Sequence, residues 1–152
     1  AAAQGRVDED AVRYFLGHAY FMKPPPKSLD RNTFSVDAIA ELSTDDGAAT
    51  LAAFTAQAIA ISREYMPQEP ELWIVAGGGR HNRTIMRMLA AQVHHDVVPA
   101  EAANIDGDSV EAEAWAYLAV RSVKGLPITF PGTTGAPEPM TGGVRADPSP
   151  AR

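Results

Sequence analysis

Val7, Ala11, Val12, Phe15 and Leu16 recur at three- and four-residue spacing, which predicts a first helix that stops at Gly17. Asp8, Glu9 and Asp10 stand at its start, where the positive end of the helix dipole favours them. Lys23-Pro24-Pro25-Pro26-Lys27-Ser28 then breaks the pattern, since consecutive prolines neither donate to a ladder nor continue a helix; a fixed extended loop is expected. Ser43 or Thr44 caps an alanine-rich helix running through Leu51, Phe54, Ala58 and Ile61 to about Tyr65, ended by Pro67 and Pro70. Leu72-Trp73-Ile74-Val75-Ala76 is short and continuously apolar, the pattern of a buried parallel strand.

That run leads straight into Gly77-Gly78-Gly79. Asn82 caps a following helix that carries Ile85, Met88 and Leu89, and His95-Asp96-Val97-Val98 reads as a second strand. Residues 71–98 thus predict strand, glycine turn, helix, strand, the signature of α/β architecture. Gly107-Asp108 opens a last helix through Trp115 and Leu118 to about Val123, closed by Gly125; it is small or apolar on most faces and is expected to be buried. Proline and glycine dominate the remainder, and a disordered tail is expected over 144–152. Two strands are few beside this many helices, so either Ile128-Thr129-Phe130 adds a third or further strands lie outside the chain.

The length of 152 residues is that of one domain or part of one, and 45% hydrophobic with 21% charged residues is ordinary for a globular chain. A net charge of -6 argues against nucleic acid as a partner, because phosphate contacts need clustered Lys and Arg. With no cysteine, disulfides, Cys-type zinc sites and thiol catalysis are excluded. No apolar run is long enough to span a membrane, and a cytoplasmic location is the default expectation. The start Ala1-Ala2-Ala3-Gln4-Gly5, without Met, is expected to be a cut through a longer protein.

The candidate chemistry is of the ligand-holding kind. Glycines between a strand and a helix let a backbone approach a nucleotide or phosphate closely, and equally serve a tight turn that needs φ > 0. No Lys-Ser or Lys-Thr follows Gly77-Gly78-Gly79, so this is not a P-loop, and the incomplete glycine pattern disfavours a Rossmann-type NAD site. Asp108-Ser109-Val110-Glu111 has the form of a capping box, which accounts for Glu111 more readily than a sugar contact does. Lys27, Ser28 and Arg31 form a small basic cluster that could touch an anion, although a solvated loop explains it better. His81, His94 and His95 lack carboxylates at ligand spacing, and no metal site or general base is assigned.

Several linked motifs resemble the anhydro-N-acetylmuramic acid kinases of bacterial cell-wall recycling. Pro24-Pro25-Pro26-Lys27-Ser28 with Arg31 and Phe34 is similar to that family's proline loop, and Ala49-Thr50-Leu51-Ala52-Ala53-Phe54-Thr55-Ala56 to its central helix. Gly77-Gly78-Gly79 with Asn82 resembles its adenosine-side turn. Gly107-Asp108-Ser109-Val110-Glu111-Ala112 with Trp115-Ala116-Tyr117-Leu118-Ala119 resembles its late helix. Gly125-Leu126-Pro127, Pro131 and Thr134-Gly135-Ala136 resemble its ending. The match runs from about Gly5 to Gly143; it departs at Leu29-Asp30, where a Gly is usual, and at Ile128-Thr129-Phe130, where Gly-Asn-Leu is usual.

The resemblance implies an α/β fold, namely an incomplete RNase H-like (actin-like ATPase) C-terminal lobe over 1–143, helix-rich and lacking its first strands. It implies ATP and Mg²⁺ as cofactors, 1,6-anhydro-N-acetylmuramic acid as substrate, and N-acetylmuramate 6-phosphate as product. The general-base aspartate and phosphate loops would lie before Ala1, on an N-terminal lobe of the same kinase, and the chain alone would be inactive. Gly77, Gly78, Gly79 and Asn82 become ATP contacts, Glu111 a sugar ligand, a cap or both, and Lys27, Ser28 and Arg31 structural or cleft-facing loop residues. The other reading is a non-catalytic interaction or homodimerising half-domain with an open sheet edge beside Leu72–Ala76.

Overall fold

Asp8 accepts the Ala11 amide at 3.0 Å and so caps the first helix, α1 (Glu9–Leu16), in a computed structural model that describes residues 1–146. Because Asp8 is the cap, the helix begins two residues after Val7; its apolar stripe of Ala11, Val12 and Phe15 is buried. His18 Nδ1 accepts the Tyr20 amide and starts the short α2 (Ala19–Met22). Ser43 rather than Thr44 caps α3 (Thr44–Ile61), accepting the Asp46 amide at 3.1 Å, and the last predicted turn, Ser62–Tyr65, tightens to 3-10 geometry.

The parallel pair β1 (Leu72–Val75) and β2 (Asp96–Pro99) flanks α4 (Arg83–Val93), as the strand–turn–helix–strand pattern requires. Ala56 and Ala60 of α3 and Leu89 and Val93 of α4 are buried together, with Trp73, Val75 and Val97 packed on them. The small alanines let α3 and α4 approach closely. Phe54 of α3 gathers Phe15, Phe21 and Phe34 around it at ring-centroid distances of 5.1, 5.9 and 5.2 Å, which ties the segment after the proline loop to this core.

Two compact units divide the chain: the first is Ala1–Pro24 with Ser28–Val110, the second Pro25–Lys27 with the described residues from Glu111 onward. The second unit is built on α5 (Val110–Val123) and the one-turn α6 (Pro131–Thr134). Gly125, at φ 66°, turns the chain out of α5, and Arg121 donates from Nε to the Pro127 carbonyl at 2.7 Å.

Two expectations need correction, and one of the two alternatives for a further strand is ruled out among the described residues. The β1 run is not buried on both faces: Trp73 and Val75 meet the helical core, whereas Leu72 and Ile74, on the opposite face, are 50% and 46% exposed. Among the described residues the sheet has two strands. Helix α5 is not buried either; none of its described residues is, and Trp115 is 65% exposed. Ile128-Thr129-Phe130 adds no third strand, because Thr129 makes only an isolated antiparallel bridge to Met140 within the second unit. Of the expected tail, residues 144–146 are irregular and exposed, and 147–152 lie outside the described residues.

Candidate functional site: the glycine turn

Gly77 leaves β1 at φ 72°, a backbone conformation that a side chain disfavours, and residues Gly78–His81 form one 3-10 turn before α4. The Gly77 amide donates to the Gly107 carbonyl at 2.9 Å. Gly77, Gly78 and Gly79 are exposed, and a Cβ built on any of them would meet nothing within 4 Å. A ligand could therefore reach bare backbone here. Asn82 behaves as predicted at the N-terminus of α4: its Oδ1 accepts from Thr84 at 3.0 Å and Ile85 at 3.3 Å. With that oxygen used by the helix, the carboxamide nitrogen is the group left to meet a ligand.

Behind the turn lies a cation that sequence reasoning missed. The Arg80 side chain is 2% exposed. Its Nη1 donates to the Gly77 carbonyl at 3.0 Å and to Asp108 Oδ1 at 2.8 Å. Its Nε and Nη2 both reach Glu101 Oε1, at 2.8 and 2.7 Å. Arg80 donating to both carboxylates holds Asp108 and Glu101 below their ordinary pKa values and raises its own. An arginine after a glycine run gives no sign in the sequence of turning inward; the only available hint is Gly107, whose Cβ would sit 2.4 Å from Arg80 Nε.

The same contacts correct the capping box. The Asp108 carboxylate is paired with Arg80 and lies 3.8 Å from His81 Nε2, and the Asp108 amide donates to Asp106 Oδ1 at 3.0 Å, not to Glu111. Glu111 is exposed at the start of α5 in the second unit. Lys27 belongs to that second unit, and Ser28 and Arg31 to the first. Only the glycines and Asn82, of the residues singled out from the sequence, are brought together in one continuous turn.

The bare glycine backbone leaves open space in which a ligand could approach. A Mg²⁺ cage does not fit: among the described residues no group of three or more His, Asp and Glu side chains could hold a metal, and the two carboxylates nearest the turn are occupied by Arg80. Among the described residues no helix is long and apolar enough to cross a membrane.

The family model for anhydro-N-acetylmuramic acid kinase matches residues 1–147. The chain is 54% identical over 143 residues to a protein of that name from Rhodospirillum rubrum, covering 94% of this chain and 38% of the relative. It is 52% identical to one from Zymomonas mobilis (93% and 39%) and 53% identical to one from Azorhizobium caulinodans (99% and 42%). The chain spans about two fifths of the length of these curated relatives. With a family match over nearly every residue and half the positions identical to named members, the chain belongs to the anhydro-N-acetylmuramic acid kinase family.

Proposed function

We propose that this chain is the adenosine-side, C-terminal lobe of an ATP-dependent kinase that hydrolytically opens 1,6-anhydro-N-acetylmuramic acid and phosphorylates O6, in peptidoglycan recycling. The lobe is an incomplete RNase H-like unit over 1–143, joined in the working enzyme by an N-terminal lobe. The observation that carries this reading is the turn Gly77-Gly78-Gly79, exposed and without side-chain obstruction, set between a parallel strand and a capped helix in a chain of this family.

Gly77, Gly78, Gly79 and Asn82 contact ATP; the backbone amides and the Asn82 carboxamide nitrogen are the donors this turn can offer. Glu111 hydrogen-bonds the sugar, its exposure at the start of α5 leaving it accessible to a hydroxyl. Lys27, Ser28 and Arg31 belong to a loop that borders the cleft. No general base is assigned to this chain: Glu101 and Asp108, the carboxylates nearest the turn, are held ionised by Arg80 and are poor proton acceptors as a result. The lobe's contribution is positioning, which carries much of phosphoryl transfer. Mg²⁺ is assigned no ligand here.

Calorimetric titration of the chain with ATP tests the assignment. Saturable binding that is lost on Gly78→Val is the expected result, since a Cβ at this position meets nothing within 4 Å and the branched side chain extends into the space a ligand would use. Binding that survives Gly78→Val overturns it. A second reading, a non-catalytic interaction or dimerisation half-domain, is favoured by one feature: the open edge of β1 and its exposed Leu72 and Ile74. Self-association without any nucleotide binding would select that reading.

A further inference from the structure

We propose that Arg80 is a positioning residue that holds the glycine turn from behind in the shape its ligand requires. The inference rests on the reading of that turn as the nucleotide contact.

A guanidinium beside a glycine turn would ordinarily be taken as a phosphate-binding group. Here it faces away from solvent, with its side chain 2% exposed and its charge opposed by two carboxylates. Burying a cation is costly unless it is paired and hydrogen-bonded, and Arg80 is both. Its acceptors come from three places: Gly77 of the turn, Glu101 from the 3-10 turn Ala100–Ala103 after β2, and Asp108 from the loop before α5.

The clamp closes on one peptide position. Gly77 donates through its amide to Gly107 and accepts through its carbonyl from Arg80, so both polar groups of the φ 72° residue are fixed. Gly107 has no room for a side chain, because the Arg80 guanidinium lies 2.4 to 2.7 Å from where its Cβ would be. Gly78 and Gly79, one and two residues on, stay bare on the outside. Rigid attachment inside and open backbone outside is what preorganised binding needs. Lysine cannot substitute, since one ammonium does not reproduce the planar fork that reaches Gly77, Glu101 and Asp108 at once.

The test uses the 152-residue chain, Arg80→Lys and Asp108→Asn, with hydrogen exchange at residues 76–82 and fluorescence titration with N-methylanthraniloyl-ADP. The Asp108 side chain is 73% exposed, so Asp108→Asn remains folded even if Arg80→Lys does not. Expected in Arg80→Lys are exchange of the Gly77 amide and ADP dissociation constants each raised by roughly tenfold or more, with α3 exchange unchanged; Asp108→Asn shifts both in the same direction by less. Unchanged exchange at the turn in the folded variants overturns the inference. Faster exchange with unchanged ADP affinity overturns it as well, since the clamp would then serve stability alone. Faster exchange in a chain whose unsubstituted form binds no ADP overturns the nucleotide reading and leaves the clamp on the turn supported.

Discussion

Thr50 and Asp8, separated by 42 residues, are joined by a hydrogen bond in which the Asp8 amide donates to Thr50 Oγ1 at 3.0 Å. The same hydroxyl donates to the Asp46 carbonyl one turn back at 2.8 Å, and Thr50 is fully buried. The entry to α1 is thus pinned to the middle of α3. Thr50→Val keeps the shape and leaves the Asp8 amide without its acceptor. A loss of about 1–3 kcal/mol is expected from the unsatisfied donor, read as a lowered urea midpoint with circular dichroism of the native state retained. An unchanged midpoint would show that the pin contributes nothing.

Gly107→Ala places a methyl where the Arg80 guanidinium stands. Either the loop or Arg80 must shift, and overpacking of this kind costs about 1–3 kcal/mol. Chemical denaturation measures that loss. Gly78→Ala, with open space at its Cβ, is the matched control and should leave the midpoint where it was.

The Arg80 pairs should make stability depend on acid. Asp108 has its pKa held below the ordinary 3.8, and Glu101 below 4.5, first of all by hydrogen bonds from Arg80. A depressed folded-state pKa contributes stability that is complete above the unfolded value and disappears as pH falls through the folded one. The gap in urea midpoint between the unsubstituted chain and Asp108→Asn is therefore constant near neutrality and narrows below 3.8. A gap that widens on acidification would contradict the pairing.

Ala56 lies fully buried where α3 meets Leu89 and Val93 of α4. Ala56→Leu inserts a larger side chain into a seam built for a methyl, with an expected cost of about 1–3 kcal/mol. Thermal unfolding of the variant checks this, and a raised midpoint would reveal a void that the close approach of the two helices does not suggest.

Much of the first unit could be read from residue spacing, because local signals and tertiary packing agree there. Ser43 and Asn82 are good caps, and each accepts from the helix it precedes. The parallel strands follow from two apolar runs around one amphipathic helix. The failures occur where a local pattern has two physical outlets. Asp108 can cap a helix or pair with a cation, and the buried Arg80 takes it. A small, apolar helix suits a core, yet among the described residues none of α5 is buried. The glycine turn was visible because three consecutive glycines follow an apolar run and precede a capped helix; its support was not, because Glu101 and Asp108 approach Arg80 only after β2 folds back beside β1.

The two tryptophans fall one to each unit: Trp73 packs against the α3–α4 core, and Trp115 stands 65% exposed on α5. Indole emission shifts to longer wavelength as water reaches the ring, so the chain carries a separate optical reporter for each half. Trp115→Phe would leave a blue-shifted signal that follows melting of the first unit alone, and Trp73→Phe a red-shifted one that follows the second. Comparing the two melting curves would show whether the halves unfold in one cooperative step or in sequence.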